Sequence, residues 1–210
     1  MGQEIDTAQG QRLLGECVAE FSRGASAASQ RTARLLDTID LSATDDVPVP
    51  TSAGQAIWDH EMGISPPEYI AHMTVVQSHS SCLSIVQEIY RGLDWYQSAK
   101  SNSPYTQIVG PSCRIAREDF RLGLLLLPEN IVYPNHQHSP DEVYIVLAGS
   151  GEWSLNRGTF DNKTAGNIID IPSMTIHAMR TSATPALMLW SWTGDDISSD
   201  SYRFCRRRDL

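Results

Sequence analysis

The sequence has little that would attract a nucleic acid or a membrane. It holds 16 Lys and Arg against 25 Asp and Glu, so its net charge is −9, and the acidic residues are spread along the chain. A phosphate backbone or an anionic membrane attracts positive patches, so the charge argues against both as the main partner. No apolar run approaches the roughly 18 residues that a membrane helix needs, since the best candidate, "LLLLP", stops at Pro128.

Cysteine pairs and targeting signals are also missing. The four cysteines lie far apart without a C-x-x-C pair, at Cys17, Cys82, Cys113 and Cys205. This usage argues against a disulfide framework or a zinc ribbon and favours reduced thiols. The N-terminus lacks a basic segment followed by an apolar one, so no secretory signal is predicted. We therefore expect a cytoplasmic protein.

Helical periodicity dominates the first half of the 210-residue chain. Apolar residues recur at helical spacing in the set Leu13, Leu14, Cys17, Val18 and Phe21. The stretch "SPPE" at 65–68 has the pattern of a capping box with proline at the first helical position. A helical stripe continues behind it from Tyr69 to Leu93. The sequence therefore predicts that 1–105 is a mostly helical region, interrupted by a polar loop at 41–55.

The second half has the pattern of a β-protein. A polar break at 98–107 precedes the change, and from about residue 113 short apolar stretches alternate with turn residues. That spacing is typical of an antiparallel sandwich or barrel. We predict a β-barrel over 106–210, on which the helical region packs, and a solvated basic tail at 203–210.

Polar residues interrupt the apolar pattern in "YPNHQHSPDEVYIVLAGSGEW", residues 133–153. Residues two apart in a strand point to the same face, so His136 and His138 can share one face. Glu142 and Tyr144 can likewise share one face of the next stretch. Four polar side chains inside an apolar barrel are costly unless something satisfies them. A divalent metal is the simplest candidate.

A further ligand should come from another strand, and His177 is the only histidine downstream. Imidazole and carboxylate ligands suit Fe(II), Mn(II), Zn(II), Co(II) or Ni(II). We therefore predict one divalent transition metal held by His136, His138, Glu142 and His177. Such a shell leaves two positions of an octahedron open, as catalysis requires.

Two motifs resemble those of the cupin superfamily. His136-x-His138-x3-Glu142-x6-Gly149 matches the first motif, and Gly166-x5-Pro172-x4-His177 matches much of the second. The resemblance implies a double-stranded β-helix, or jelly-roll barrel, preceded by several α-helices. The chain departs from the motifs at three positions, where Asn130 and Met174 replace glycines and Thr181 replaces an asparagine.

The pattern "HxHxxxExY", preceded by Tyr133 and Pro134 and joined to a helical half, resembles the cupin-type dimethylsulfoniopropionate lyases of marine bacteria. This resemblance implies cleavage of dimethylsulfoniopropionate to dimethyl sulfide and acrylate. It also implies that the four residues named above hold the metal, that Tyr144 is the general base, and that Tyr133 lies near the substrate.

The chemistry of these residues agrees with that reaction. Removing a proton next to a carboxylate is difficult, and a metal that binds the carboxylate stabilises the developing charge. A nearby cation also lowers the pKa of a phenol from about 10. Aromatic faces attract a sulfonium, so the candidates for binding it are Tyr133, Trp153, Trp190 and Trp192, with Phe160 close to the first motif.

Two other functions remain open. An Fe(II) cupin dioxygenase acting on a small organic acid would use the same ligands but would not need Tyr144 as a base. A non-enzymatic ligand-binding cupin would use the helical half to contact a partner. The predicted partner is a small zwitterionic substrate. The helical half could cover the barrel mouth or form the interface of a homodimer.

Overall fold

The computed structural model describes residues 5–41, 62–73, 81–98, 101–111, 113 and 115–205. The helices in these ranges are α1 (Thr7–Ser22), α2 (Ala27–Asp37) and α3 (Ser81–Ile89), with short 3-10 helices at Glu68–His72 and Tyr90–Gly92. The strands are β1 (Met62–Ile64), β2 (Trp95–Gln97), β3 (Pro104–Gly110), β4 (Ile115–Ala116), β5 (Arg121–Leu127), β6 (Val132–Gln137), β7 (Asp141–Leu155), β8 (Asp161–Thr164), β9 (Ile168–Ile171), β10 (His177–Arg180), β11 (Ala186–Thr193) and β12 (Arg203–Phe204). The predicted loop at 41–55 lies outside the described residues except for Leu41.

Helix α1 begins at a capping box that we did not predict. The Asp6 carboxylate accepts a hydrogen bond from the Gln9 backbone at 2.8 Å, and the Gln9 side chain accepts one from the Asp6 backbone at 3.1 Å. These bonds satisfy two donors that a helix start otherwise leaves without partners. The predicted stripe of α1 is buried as expected at Leu13, Leu14, Cys17 and Phe21.

The capping box predicted at 65–68 is wrong. A 3-10 helix begins at Glu68, and Pro67 precedes it in an extended conformation without a side-chain cap. Two successive prolines disfavour helical backbone at the residues before them. The Glu68 carboxylate instead accepts hydrogen bonds from the Tyr90 hydroxyl at 3.0 Å and from Arg91.

The prediction of a mostly helical first half is only partly confirmed, because strands β1, β2 and β3 begin before residue 106. Apart from residues 99–100, which lie outside the described part, the polar stretch at 98–107 follows β2 and runs into its antiparallel partner β3, so it does not mark a break in the fold. Ser98 N donates to Ser103 O at 3.1 Å, and Asn102 takes the left-handed conformation that the turn needs, with φ 54°. The division of the chain at residue 105 stays a prediction.

A large curled sheet holds more of the described residues than the helices do, which confirms the prediction of a mostly β, antiparallel protein. Its strand order is β1-β2-β3-β5-β11-β7-β10-β6-β12, with β4 paired to β3 and with β8 and β9 paired to β7. The only parallel pair among the described strands is β3 with β4. The first part of β7 pairs with β11 and β9, and its last part pairs with β10 and β8.

The curled sheet is a half-barrel with an outer face under the helices and an inner face on its concave side. Side chains of β7 and β11 alternate between the faces, as strand geometry requires. On the outer face Ile145 and Leu189 belong to the same apolar cluster as buried residues of α1, α2 and α3. On the inner face Tyr144 and Trp190 belong to a second cluster. The helices therefore support the sheet from outside.

One irregularity divides β7. Leu187 of β11 pairs with Ala148, but the next residue, Met188, pairs with Val146, so Leu147 is an extra residue in β7. Such a bulge turns consecutive residues to the same side, and Leu147 and Ala148 both join the outer cluster.

No helix in the described ranges is both long enough and apolar enough to cross a membrane.

Candidate metal centre

Three strands bring the four predicted ligands together. His136 lies in β6 and pairs across the ladder with His177, the first residue of β10. His138 follows β6, and Glu142 lies near the start of β7. The three histidines each offer a ring nitrogen within 4.8 Å of the others. The Glu142 Oε2 atom lies 3.1 Å from His138 Nε2 and 3.2 Å from His177 Nε2.

Backbone carbonyls fix the orientation of all three imidazoles. The Nδ1 atoms of His136, His138 and His177 lie 2.8, 3.1 and 2.9 Å from the carbonyl oxygens of Pro134, Pro140 and Thr175, respectively. A carbonyl only accepts, so each Nδ1 carries the hydrogen and donates it. In the neutral ring the Nε2 atom then offers a lone pair, which is the form that binds a metal.

These residues fit a bound cation. With neutral imidazoles, the Nε2 atoms of His138 and His177 and the Glu142 Oε2 atom are all acceptors, so their close approach is unfavourable unless a cation lies among them. His177 Nε2 is buried and makes no hydrogen bond within the described structure, although Glu142 Oε2 lies 3.2 Å from it. Three imidazole nitrogens and one carboxylate oxygen are a donor set for a divalent transition metal.

Burial and charge keep two of the ligands in their metal-binding forms. Burial, and next the nearness of the His177 ring, hold the pKa of His136 well below its usual value, which favours the neutral ring. Burial acts to raise the pKa of Glu142, but the closeness of the His138 and His177 rings to its carboxylate outweighs burial and leaves that pKa lowered. Glu142 is therefore a carboxylate.

The second carboxylate oxygen of Glu142 has its own partner. The indole Nε1–H of Trp192 donates to Glu142 Oε1 at 2.7 Å, and the two residues are direct partners across β7 and β11. Both side chains are buried. The sequence predicted an aromatic face at Trp192, and the structure adds a hydrogen bond.

A cavity of about 40 Å³ adjoins the ligands. Its lining includes His136, Glu142 and the predicted base Tyr144. Burial, and then the charge of Glu142, raise the pKa of Tyr144 well above its usual value in the protein alone. Six aromatic side chains contribute to the walls: Tyr105, Tyr133, Tyr144, Trp190, Trp192 and Tyr202.

The predicted aromatic residues do not all reach this cavity. Tyr133 and Trp190 do, and Gly123 makes room for Trp190, since a Cβ there would lie 2.8 Å from its indole nitrogen. Trp153 is buried in the barrel, 6.2 Å from the Tyr144 ring, and is not among the lining residues. Phe160 lies under the guanidinium of Arg180, 4.2 Å from it.

An irregular register explains how Tyr133 joins the site. Strict alternation would point residues three apart to opposite faces. The pairing of β6 with β10 shifts between His136 and Tyr133, and the two rings end 4.7 Å apart.

Tyr202 is a cavity residue that the sequence did not reveal. Its hydroxyl lies 2.9 Å from that of Tyr133, and its ring centroid lies 5.0 Å from that of His136. The expectation of a solvated tail at 203–210 is wrong for Phe204, which packs against the inner cluster. Arg203 is exposed, although it forms β12 on β6 together with Phe204. Residues 206–210 lie outside the described part. A signal existed in the aromatic alternation of "YRF", but two-residue strands are too short to recognise.

The departures from the cupin motifs preserve the local turns. Asn130 and Met174, which replace glycines, have φ 58° and 59°, the left-handed region that glycine favours. The Thr181 hydroxyl donates to the Pro128 carbonyl and accepts from Ile131 N at 3.1 Å. The ligands are thus positioned without the usual residues.

Comparisons with known proteins agree with this site. The model of a family described as dimethylsulfoniopropionate lyase matches residues 76–188, a range that includes the four predicted ligands, Tyr133 and Tyr144. The dimethylsulfoniopropionate lyase DddQ of Ruegeria pomeroyi is 30% identical over 88 residues, which are 42% of this chain and 44% of that protein. The match thus spans less than half of the length of this curated relative.

Solved structures share the fold over nearly the whole chain. A chain from the crystal structures of the DMSP lyases RdDddP and RnDddQII has a TM-score of 0.67 at 19% identity, covering 95% of this chain and 98% of that one. The crystal structure of DddQ from Ruegeria pomeroyi has a TM-score of 0.66 at 19% identity, with coverage of 95% and 97%. At this identity the likeness establishes the fold.

Proposed function

Because this chain belongs to the dimethylsulfoniopropionate lyase family, we propose that it cleaves dimethylsulfoniopropionate to dimethyl sulfide and acrylate with one divalent transition metal. The observation that carries the proposal is the convergence of three imidazole nitrogens and the Glu142 carboxylate beside an aromatic cavity lined by Tyr144.

The metal would be held by His136, His138, Glu142 and His177. When bound, it supplies positive charge that neutralises the substrate carboxylate and stabilises the charge developing at the α carbon. The ligand set accepts Fe(II), Mn(II), Zn(II), Co(II) or Ni(II), so the chemistry of the donors does not select one of them.

Tyr144 is the residue that we propose as the base. It would act as a phenolate, the form that the positive charge of a bound metal would favour. The phenolate takes the α proton of the substrate, and the electrons of that C–H bond form the new double bond as the bond from the β carbon to sulfur breaks. Dimethyl sulfide leaves with that electron pair as a neutral molecule. The proton on Tyr144 then passes to solvent.

The aromatic walls support binding of the sulfonium. A cation over an aromatic face gains about 0.5–2 kcal/mol, more when water is excluded, and Tyr133, Trp190 and Trp192 line the cavity. Trp153 was predicted to bind the sulfonium, but it packs beside Tyr144 and does not line the cavity. We propose that it supports the position of the Tyr144 ring. The cavity of about 40 Å³ has room for only a few water molecules, so we expect side chains to move when substrate enters.

The direct test is to incubate metal-loaded protein with dimethylsulfoniopropionate and to measure dimethyl sulfide in the headspace. Release that depends on metal supports the proposal, and no release with any of the five metals contradicts it. Oxygen consumption on a small organic acid, retained in Tyr144→Phe, would indicate the dioxygenase instead. Protein that binds no metal and turns over no substrate would indicate a ligand-binding cupin.

The zwitterionic substrate is the partner we propose. The absence of nucleic-acid and membrane partners stays a prediction from the charge, and so does the homodimer, which gel filtration tests.

A further inference from the structure

The two oxygens of the Glu142 carboxylate face different partners. Oε2 points to the histidines, at 3.1 Å from His138 Nε2 and 3.2 Å from His177 Nε2. Oε1 accepts the indole N–H of Trp192 at 2.7 Å. Glu142 and Trp192 are each 3% exposed, so water has little access to compete for either oxygen.

The register between β11 and β7 brings the two partners of this hydrogen bond together. Trp192 and Glu142 are direct partners on β11 and β7, and such partners point to the same face of a sheet. The Trp192 ring also packs against the His138 ring, with centroids 4.6 Å apart. Trp192 therefore contacts two of the four proposed ligands.

We propose that Trp192 is a positioning residue for the metal, whose indole N–H holds Glu142 so that Oε2 is the oxygen offered to the ion. The inference rests on the metal part of the proposed function but not on the reaction. An indole nitrogen donates and does not accept, so it holds the carboxylate without competing for the ion. A bond between a donor and a carboxylate is stronger than one between neutral groups.

This role differs from the aromatic contact predicted from the sequence. A cation over the ring needs only the π face, whereas positioning Glu142 needs the N–H. Trp192→Phe separates the two, because it keeps an aromatic face and removes the donor. Removing the partner of a metal ligand typically weakens metal affinity about 10–100-fold.

The test uses the full chain and Co(II), whose visible absorption reports the coordination geometry. Affinity is measured by competition with a chelator for wild type, Trp192→Phe and Trp153→Phe. Trp153 is the matched control, since it lies in the same barrel and its buried indole N–H has no partner in the described structure. We expect Trp192→Phe to bind Co(II) about 10–100-fold more weakly with a changed absorption spectrum, and Trp153→Phe to stay within about twofold.

Equal affinity of Trp192→Phe and wild type would overturn the inference. Equal weakening in both variants would also overturn it, because it would show a general effect of removing an indole from the barrel. If Trp192→Phe does not fold, β-benzothienylalanine at position 192 takes its place, since this residue keeps the double ring and lacks the N–H.

The outcomes also separate this inference from the reaction. Weakened Co(II) binding in Trp192→Phe, with no dimethyl sulfide from wild type, would refute the lyase and keep the positioning role. Dimethyl sulfide release with unchanged metal affinity in Trp192→Phe would keep the lyase and refute the positioning role. A wild type that binds no Co(II) would overturn the positioning role and the metal part of the proposed function.

Discussion

The outer and inner faces of β7 and β11 are made by alternate residues of the same two strands, yet they differ in chemistry. The outer face presents aliphatic side chains such as Ile145 and Leu189 to the helices. The inner face presents Glu142, Tyr144 and Trp192 to the cavity. Both faces are buried, so burial alone does not distinguish them. Along each strand, residues that pack against the helices therefore alternate with residues that face the proposed site. Substitutions at neighbouring positions should thus change stability in one case and activity in the other.

The largest expected effect lies on the inner face. Tyr144→Phe should lower kcat for dimethyl sulfide release about 10²–10⁴-fold, the usual contribution of a general base, with the rate followed by gas chromatography of the headspace. Tyr90→Phe is the control, because Tyr90 is a buried tyrosine of the outer cluster whose hydroxyl donates to Glu68. Full activity in Tyr144→Phe would refute its role as base.

On the outer face we expect a loss of stability rather than of chemistry. Leu189→Ala should lower the free energy of unfolding by about 2–5 kcal/mol, because it leaves a cavity beneath the helices. The metal affinity of the folded protein should not change. Urea unfolding measures the free energy of unfolding, and chelator competition measures the metal affinity. Leu155→Ala is the control for removing a leucine side chain, because Leu155 is 36% exposed. A matching loss of metal affinity would show that the faces are coupled.

Acid should act on the inner face through its buried ionisable groups. The pKa of His136 and that of Glu142 are lowered in the folded protein, so both groups bind protons more readily when unfolded. Their contributions to stability are complete above the unfolded pKa values, near 6.5 and 4.5, and are lost as pH falls through the folded ones. Metal-free protein should therefore lose stability below about pH 6.5.

Urea unfolding of chelator-treated protein from pH 8 to 4 measures this dependence. In His136→Asn the free energy of unfolding should vary less with pH in the upper part of this range. Leu189→Ala should lower the free energy of unfolding equally at every pH. A flat wild-type curve would contradict the lowered pKa values.

The smallest effect is expected in a turn that leads to a ligand strand. Met174 has φ 59° and its backbone N donates to His138 O at 2.8 Å. Met174→Gly should raise stability by about 0.5–1 kcal/mol, because relief of the left-handed strain outweighs the added freedom of the unfolded chain. Calorimetry of metal-free protein measures the change, and destabilisation would show that the Met174 side chain contributes packing that we have not assigned.

Local patterns in the sequence were enough to predict that His136, His138, Glu142 and His177 converge. His136 lies in β6 with His138 directly after it, Glu142 and Tyr144 lie two apart in β7, and the late histidine His177 begins β10. The apolar stripe of α1 was equally visible. These features repeat within a few residues, which is the range over which periodicity carries information.

Features that depend on pairing between distant segments were missed. Tyr202 reaches the site because a two-residue strand pairs with β6, and the N–H of Trp192 meets Glu142 because of the register between β11 and β7. Tyr105 was hidden in a stretch whose polar composition resembled a loop. One sequence does not specify register, so these contacts could not be predicted.

The bulge in β7 has a consequence for the length of that strand. Before the bulge, even-numbered residues such as Tyr144 point inward; after it, Trp153 points inward and Glu152 bonds to Arg180 outside. Deleting one residue at the bulge would reverse this alternation in the last part of β7. The Glu152 carboxylate would then face the apolar interior, and the Trp153 indole would face outward. The extra residue thus resets the phase between the two parts of a fifteen-residue strand, so a change in the number of residues in β7 would disturb the inner face as surely as a substitution of Glu142.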